Sequence, residues 1–167
     1  MGGYQDHGWA EDYDLWLRLF EAGAQFAKVP EVLLEWRDHP NRLTHIDGRY
    51  SPFNDLRLKV HYLVQGPLSN CDQVILWGNA TSATALGGQL LNLGVPVASF
   101  VAETPLQLGP PFQNTSTITL DELFNNIKKG QRPIVLVTES DPSHRALIAQ
   151  QFDTLRFRQG INWWQVG

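Results

Sequence analysis

The sequence predicts an α/β protein made of two parts joined by a short linker. Residues 9–20 combine an apolar repeat of helical period with a closing Ala22-Gly23, which is typical of an amphipathic helix. Residues 73–101 follow the order strand, turn, helix and strand, from which parallel sheets are built. Residues 66–71 contain Gly, Pro, Ser and Asn and are predicted to be the linker. The two parts are therefore residues 1–65 and residues 72–167.

The first helix places one acidic residue among its apolar ones. Its apolar positions recur at the helical period: Leu15, Trp16, Leu19 and Phe20. At about 100° per residue, Asp12 falls within this stripe, where a carboxylate must be desolvated, paired or working. The helix dipole favours an ionised group there, which suits a general base, but an N-terminal cap is an equal alternative. Asp14 and Arg18, four residues apart, are expected to form an exposed ion pair of little energetic weight.

Two short strands are expected after this helix. Residues 25–29 end at a proline, and residues 32–37 are predicted to be a strand buried on both faces for most of its length. Arg37 and His39 then lie at a strand end or loop, a usual place for functional side chains. From Pro52 a further helix is predicted.

Four segments of the first part occur in close succession and carry a family resemblance. They are Gly2-Gly3-Tyr4, residues 10–18 (Ala-Glu-Asp-Tyr-Asp-Leu-Trp-Leu-Arg), residues 29–33 (Val-Pro-Glu-Val-Leu) and Arg37-Asp38-His39. Together they resemble the C-terminal part of a family 2 glycosyltransferase catalytic domain, of GT-A fold, over residues 1–63. The resemblance implies inverting transfer of a sugar from a nucleotide-sugar donor to a carbohydrate or lipid-linked acceptor.

The resemblance also implies roles for individual residues. Asp12, the second member of the acidic pair, takes the proton from the acceptor hydroxyl, while Glu11 and Trp9 shape the acceptor site. Trp9 either offers a stacking face to a sugar ring or is a buried aromatic. His39 corresponds loosely to a histidine that helps to hold the metal or the donor diphosphate, or it is a surface residue. Arg37 either neutralises the departing diphosphate or pairs with a neighbouring carboxylate.

The donor side of such an enzyme is not recognisable in the sequence. An Asp-x-Asp motif, whose carboxylates hold Mn²⁺ or Mg²⁺ against the donor diphosphate, is expected before the Asp12 helix, and only eleven residues precede Asp12. Three explanations are open: a fragment or mis-started reading frame, a protein that pairs with a separate donor half, or a decayed remnant. We prefer the first, so the sequence predicts part of an enzyme, truncated before its donor half. We expect this chain alone to have no transfer activity and to need no cofactor.

The second part begins as a Rossmann-like unit. A strand at residues 73–77 runs into Gly78, a helix ends at Gly94, and a second strand ends near Glu103. A dinucleotide-binding turn has three glycines, but Ala80 and Ala83 stand where the second and third are expected. Gly78, Ala80 and Glu103 are the candidate nucleotide-binding residues, and the substitution at Ala80 places a methyl group where the phosphate would approach.

Further strands and helices complete this prediction. A strand and a helix start with Thr119 as its cap are expected at residues 118–125, and a buried strand at 133–138. A helix with Asp141 as its cap and Pro142 at its first position follows, and then a docked aromatic tail at 160–167. The unit resembles the small Rossmann-like domain appended to some bacterial family 2 glycosyltransferases. The alternative to an enzyme is therefore a non-catalytic module that senses a nucleotide or mediates assembly.

Composition excludes some classes of function. The net charge of −4 argues against a nucleic-acid partner. The sequence has no apolar run of about 18 residues and no secretory signal, and its single cysteine, Cys71, fits a reducing compartment. We therefore expect a cytoplasmic protein without a membrane span. Exposed strand edges are expected to favour a homodimer.

Overall fold

The computed structural model describes residues 2–102 and 115–167 and divides the chain into two units, Met1–Tyr62 and Leu63–Gly167. The first unit is helical in its regular structure. Its elements are α1 (Glu11–Glu21), α2 (Leu43–Ile46), a single 3₁₀ turn (Gly48–Tyr50) and α3 (Pro52–Gln65), whose last residues belong to the second unit. The longest helix, α3, has 14 residues, and no helix in residues 2–102 and 115–167 is long and apolar enough to cross a membrane.

Helix α1 starts two residues later than predicted, at Glu11, and has a different buried face. It ends before Gly23, whose φ of +81° is the left-handed conformation expected of a closing glycine. Asp14 is its buried residue, with 1% of the residue exposed, whereas Trp16 and Phe20 are 55% and 66% exposed. Half of the apolar stripe therefore faces solvent, while Leu15 and Leu19 are half-buried. The expected Asp14–Arg18 ion pair forms, with Asp14 Oδ2 2.8 Å from Arg18 Nε, but the expectation that it is exposed is wrong.

The strands expected at residues 25–29 and 32–37 are absent. Both segments lie outside helices and strands, and no backbone hydrogen bond joins residues 25–37 to any described residue. Val32 and Trp36 are 91% and 73% exposed, so the predicted burial on both faces is wrong as well. The physical reason is that a strand needs a neighbouring strand to satisfy its backbone groups, and the first unit has none among its described residues.

The second unit is an α/β fold with a five-stranded parallel sheet, as the sequence predicts. The strands lie in the order β3-β2-β1-β4-β5, and every neighbouring pair is parallel. Its elements are β1 (Val74–Trp77), α4 (Ala80–Asn92), β2 (Val97–Ala102), β3 (Ser116–Thr119), α5 (Leu120–Lys128), β4 (Ile134–Val137), α6 (Pro142–Thr154) and β5 (Trp163–Gln165). The aromatic tail supplies the final strand.

The core of this unit lies against the central strands. All four residues of β1 are buried, which is typical of a parallel strand covered on both faces. On one side, aromatic rings pack together: Trp77 contacts Phe152 edge to face at 5.4 Å between ring centroids, and Phe152 stacks on Phe157 and Trp163 at 5.8 and 5.2 Å. Burial of such large apolar rings is the main source of stability of the unit.

Local signals fix the ends of its helices. Helix α5 starts with a capping box in which Thr119 and Glu122 exchange hydrogen bonds between side chain and backbone. Helix α6 starts with the Asp141 side chain as cap and Pro142 in its first turn, as predicted. Helix α4 lies close to the sheet because Gly87 has no side chain: a Cβ there would lie 2.8 Å from Leu76 Cδ1 and from Phe100 Cζ.

Candidate functional site

The predicted catalytic pair lies at the start of α1, where the carboxylate of Glu11 is held in place. Its Oε1 accepts a 2.9 Å hydrogen bond from the hydroxyl of Tyr50. Burial, this hydrogen bond and the charges of Glu11 and Asp12 raise the pKa of Tyr50 to about 12. Tyr50 is therefore protonated at neutral pH and remains a donor to Glu11.

Arg49 is the positive charge nearest this pair. Its guanidinium donates to Asp47 Oδ2 from Nε at 3.0 Å and from Nη2 at 2.7 Å, while Asp47 Oδ1 accepts the Arg49 amide. Arg49 Nη1 also lies 3.5 Å from Glu11 Oε2, close enough for an ion pair but not for a hydrogen bond. That oxygen is inaccessible to solvent and accepts no hydrogen bond from the described residues. Arg49, which is paired with Asp47, thus also offsets part of the negative charge of Glu11.

Asp12 differs from Glu11 in being open to solvent. Its side chain is exposed, and its Oδ1 accepts a 2.8 Å hydrogen bond from the amide of Tyr13 in the same helix. The expectation that Asp12 lies within a buried apolar stripe is wrong, because Asp12 is exposed and so is Trp16, one turn later. An accessible carboxylate at a helix N-terminus is stabilised as an anion by the helix dipole and can receive a proton from a bound molecule.

A third carboxylate, the buried Asp14, anchors α1 through hydrogen bonds to the rest of the first unit. Its Oδ1 accepts hydrogen bonds from Tyr62 Oη at 2.8 Å and Trp9 Nε1 at 3.2 Å, and its Oδ2 accepts from Arg18 Nε at 2.8 Å. Burial alone would raise the pKa of Asp14, but hydrogen bonds from Tyr62, Arg18 and Trp9 hold it below its ordinary value. Asp14 is therefore a charged structural residue that fixes the helix on which Glu11 and Asp12 stand.

Trp9 belongs to this anchor. It is 8% exposed, and the rings of His61 and His7 lie 5.2 and 5.5 Å from its own. The Arg57 guanidinium lies over the Trp9 ring at 5.6 Å. These contacts match the buried-aromatic alternative and leave little ring surface for a sugar.

Arg37 and His39 lie in the exposed irregular segment after α1. The described residues give neither side chain a hydrogen bond or ion pair, whereas the residue between them, Asp38, binds Arg42 and His45 through its Oδ1. The pairing of Arg37 with Asp38 that the sequence left open is therefore not formed. Neither Arg37 nor His39 contacts the Glu11 and Asp12 carboxylates.

In the second unit, Gly78 lies where the chain leaves β1. Because β2 and β4 lie on opposite sides of β1, this is the topological switch point at which open α/β sheets bind ligands. However, a Cβ on Gly78 would lie 2.7 Å from the Glu139 amide nitrogen and 3.0 Å from the Thr138 carbonyl carbon. Gly78 is thus required by the close approach of the chain after β4, whether or not a phosphate binds.

Of the other two nucleotide-binding candidates, Ala80 and Glu103, only Ala80 lies among the described residues. Ala80 opens α4 and is exposed, next to Asn79, whose side chain caps the helix by accepting from the amide of Ser82 at 3.1 Å. Glu103 lies outside the described residues. The turn therefore offers a capped helix start with an accessible methyl group at its first position.

A polar cluster beside this turn was not predicted. The Glu139 carboxylate accepts amide hydrogen bonds from Ser140 and Asp141 at 2.7 and 2.9 Å, and its Oε2 lies 3.0 Å from His144 Nδ1. These amide hydrogen bonds and His144 hold the pKa of Glu139 below its usual range. In the sequence, Glu139 follows a predicted strand and His144 comes five residues later. Only the fold shows that the His144 ring turns back to the Glu139 carboxylate.

Neither site gathers a cluster of metal-ligating side chains from the described residues. Among residues 2–102 and 115–167, no three His, Cys, Asp or Glu side chains gather in a group that could hold a metal ion. Comparisons of the chain with protein-family models, with curated proteins and with solved structures found no match. The functional assignment therefore depends on the geometry of the chain's own residues.

Proposed function

We propose that residues 1–65 form the acceptor side of an inverting glycosyltransferase domain, with Asp12 as the general base. The observation that carries the proposal is that the two adjacent carboxylates at the start of α1 differ in their surroundings. Glu11 is oriented by Tyr50, whereas the adjacent Asp12 carboxylate is accessible. The sequence resemblance to family 2 glycosyltransferases assigns the base to the same residue.

The chemical step follows from this arrangement. An acceptor hydroxyl oxygen attacks the anomeric carbon of the donor from the face opposite the nucleoside diphosphate, and the carbon–oxygen bond to the diphosphate breaks. Asp12 takes the proton of the attacking hydroxyl, and the diphosphate leaves with the bonding electrons. Attack from the opposite face inverts the anomeric configuration. A positioned base of this kind contributes about 10²-fold or more to such a rate.

The neighbours of Asp12 have positioning roles in this proposal. Glu11, held by Tyr50, shapes the wall of the acceptor site, and Asp14 keeps α1 in place through its buried hydrogen bonds. The donor nucleotide-sugar and the divalent cation that such enzymes use belong to a donor half, and no group among the described residues fits the cation.

The proposal is tested on the natural gene product that contains these residues. Release of nucleoside diphosphate from a panel of nucleotide-sugars is measured with and without candidate saccharide and lipid-linked acceptors. We expect Asp12→Asn to lower the transfer rate by about 10²-fold or more. Asp121→Asn, at an exposed position of α5, is the matched control and is expected to leave the rate unchanged. An active enzyme that is indifferent to Asp12→Asn would overturn the assignment of the base.

The genomic DNA provides a second, independent test. An in-frame continuation upstream of Met1 that encodes a strand-rich segment with an Asp-x-Asp motif would support the enzyme. A stop codon and a ribosome-binding site directly before Met1 would favour the non-catalytic module.

The alternative is a nucleotide-sensing module in the second unit. Thermal-shift titration of the 167-residue chain with nucleotide-sugars, nucleotides and NAD, each with and without Mn²⁺, distinguishes it from the enzyme. Gly78 substitutions would disturb the fold, so the informative variant is Ala80→Glu. An acid at the exposed first position of α4 is compatible with the helix dipole but repels a phosphate. Metal-independent stabilisation by a nucleotide that is lost in Ala80→Glu would favour the module.

A further inference from the structure

Residues 31–37, the apolar segment, have both exposed apolar side chains and unused backbone groups. Val32, Leu34 and Trp36 are 91%, 75% and 73% exposed. Trp36 is contacted on its ring by the Arg42 guanidinium at 4.7 Å, yet most of its surface is open. No backbone N–H or C=O of the apolar segment forms a hydrogen bond with a described residue. A seven-residue segment of this composition is a template for strand pairing.

The apolar segment also alternates as a strand does. In a strand, successive side chains point to opposite faces. Val32, Leu34 and Trp36 would share one face, which is wholly apolar. The other face would carry Glu31, Leu33, Glu35 and Arg37.

We propose that the apolar segment pairs with the same segment of a second copy of this chain, as two antiparallel strands centred on Leu34. An interface between identical copies with two-fold symmetry is isologous, so each contact between two different residues occurs twice. With Leu34 on the axis, Glu31 lies opposite Arg37 and Val32 lies opposite Trp36. The pairing satisfies backbone groups that the single chain leaves without partners.

Charge complementarity selects this register. Centred on Leu34, the pairing places Glu31 against Arg37 at both ends of the interface, and no like charges face each other directly. Shifting the axis to Leu33 places Glu31 opposite Glu35, and shifting it to Glu35 places that carboxylate opposite its own copy. Like charges directly opposite each other across strands are destabilising. An odd shift would place Glu31 opposite Trp36 and so mix the polar and apolar faces.

The apolar face also favours this register. Each Val32 meets a Trp36, and an aromatic side chain opposite a β-branched one is a stabilising cross-strand pair. Two copies together gather six apolar side chains on one face, including two tryptophans, the residue type most enriched in the centres of interfaces. Burial of this face is the driving force of the association.

The first test uses two lysine substitutions in the 167-residue chain. Leu34→Lys places two like charges on the axis and removes two apolar side chains, so we expect the dimer to weaken at least about tenfold. Leu33→Lys is the matched control, because its lysine faces Glu35 of the second copy and the dimer is retained. Sedimentation equilibrium over a range of concentrations measures the mass, which for the dimer is twice 18.9 kDa. All these positions are exposed, and thermal unfolding verifies that each variant folds.

The second test exchanges charges. Glu31→Arg alone and Arg37→Glu alone each create two like-charge pairs and are expected to weaken the dimer. The double variant restores both ion pairs and is expected to restore the association. A dimer that responds equally to the single and the double variants would overturn the register.

A cross-linking test completes the set. In a Cys71→Ser background, Leu34→Cys places two thiols on the axis, whereas Leu33→Cys places each thiol opposite Glu35. We expect rapid disulfide formation between copies of the first and not of the second. A wild-type chain that stays monomeric at every concentration would overturn the proposal and indicate that the segment pairs with a different polypeptide.

Discussion

The hydroxyl of Tyr62 on α3 donates a 2.8 Å hydrogen bond to the carboxylate of Asp14 on α1, 48 residues earlier in the chain. The contact is part-buried, and the same carboxylate accepts the indole N–H of Trp9 and the Nε of Arg18. A buried carboxylate with three donors is stable as an anion, and it links three parts of the first unit. The position of Glu11 and Asp12 therefore depends on a residue that is not itself at the candidate site.

Asp14→Asn is expected to lower the free energy of unfolding by about 3 kcal/mol. The amide side chain leaves Arg18 without its carboxylate partner, and its NH₂ group faces donors, so at least one hydrogen bond is lost. Urea denaturation of the chain measures the change. Asp12→Asn is the matched control: Asp12 is exposed, and we expect a change within about 0.5 kcal/mol. Equal effects of the two substitutions would contradict the structural role of Asp14.

Tyr62→Phe removes one donor from the same network and is expected to cost about 1.5 kcal/mol. Combined with Asp14→Asn it should cost less than the sum of the two single changes, because both act on one contact. A double-mutant cycle measures this coupling. Strict additivity would show that the Tyr62–Asp14 contact contributes nothing to stability.

Stability should fall at both acid and alkaline pH through this contact. The pKa of Asp14 is below its ordinary value in the folded chain, so its contribution is present above about pH 4 and is lost as the pH falls through the lower folded pKa. Burial and the Asp14 carboxylate raise the pKa of Tyr62 to about 12. Its contribution is therefore complete below about pH 10 and is lost as the pH rises towards 12.

Unfolding midpoints measured across pH check this pair of effects. Asp14→Asn should flatten part of the acid loss, and Tyr62→Phe part of the alkaline loss. Part of each remains, because the pKa of Glu139 is also lowered and the pKa of Tyr50 is also raised. Ultraviolet absorbance of tyrosinate provides the direct measure, and a Tyr62 that titrates near pH 10 would refute the contact.

Local sequence signals predicted most of the second unit. The buried strand at residues 74–77, the cap at Asp141 and the capping residue Thr119 each depend on neighbours within a few positions, and all are confirmed. Parallel strands with helices between them leave few topologies, so the sheet could be anticipated from the order of elements.

What the sequence could not show depends on distant partners. Periodicity placed Asp12 in the apolar stripe and Asp14 outside, because it cannot show which face of α1 meets the rest of the unit. The donors that bury Asp14 include Tyr62, far along the chain. The strand expected at residues 32–37 has strand-like composition, but composition does not supply the neighbouring strand that would complete its hydrogen bonds.

Gly78→Ala is expected to destabilise the second unit by about 3 kcal/mol. The φ of Gly78 is +123°, a conformation that costs a non-glycine residue about 1–3 kcal/mol. The added Cβ would also lie 2.7 Å from the Glu139 amide nitrogen, which cannot easily move. Gly130→Ala is the matched control, since its φ is +100° and a Cβ added there would have no atom within 4 Å. Its expected cost is about 1 kcal/mol, from the backbone conformation alone. Equal costs at the two positions would show that Thr138 and Glu139 do not press on Gly78.

At Gly87 two opposing effects of one methyl group can be weighed. Alanine is the better helix former by about 1 kcal/mol, but its Cβ would lie 2.8 Å from both Leu76 Cδ1 and Phe100 Cζ, and overpacking a core costs about 1–3 kcal/mol. We therefore expect Gly87→Ala to destabilise by about 1 kcal/mol overall. Ala85→Gly, at an exposed position of α4, measures the helix-propensity term in the same helix. The contrary result would be that Gly87→Ala stabilises the chain by as much as Ala85→Gly destabilises it. That result would mean that α4 moves away from the sheet at no cost in free energy, and that Gly87 is not needed for their close packing.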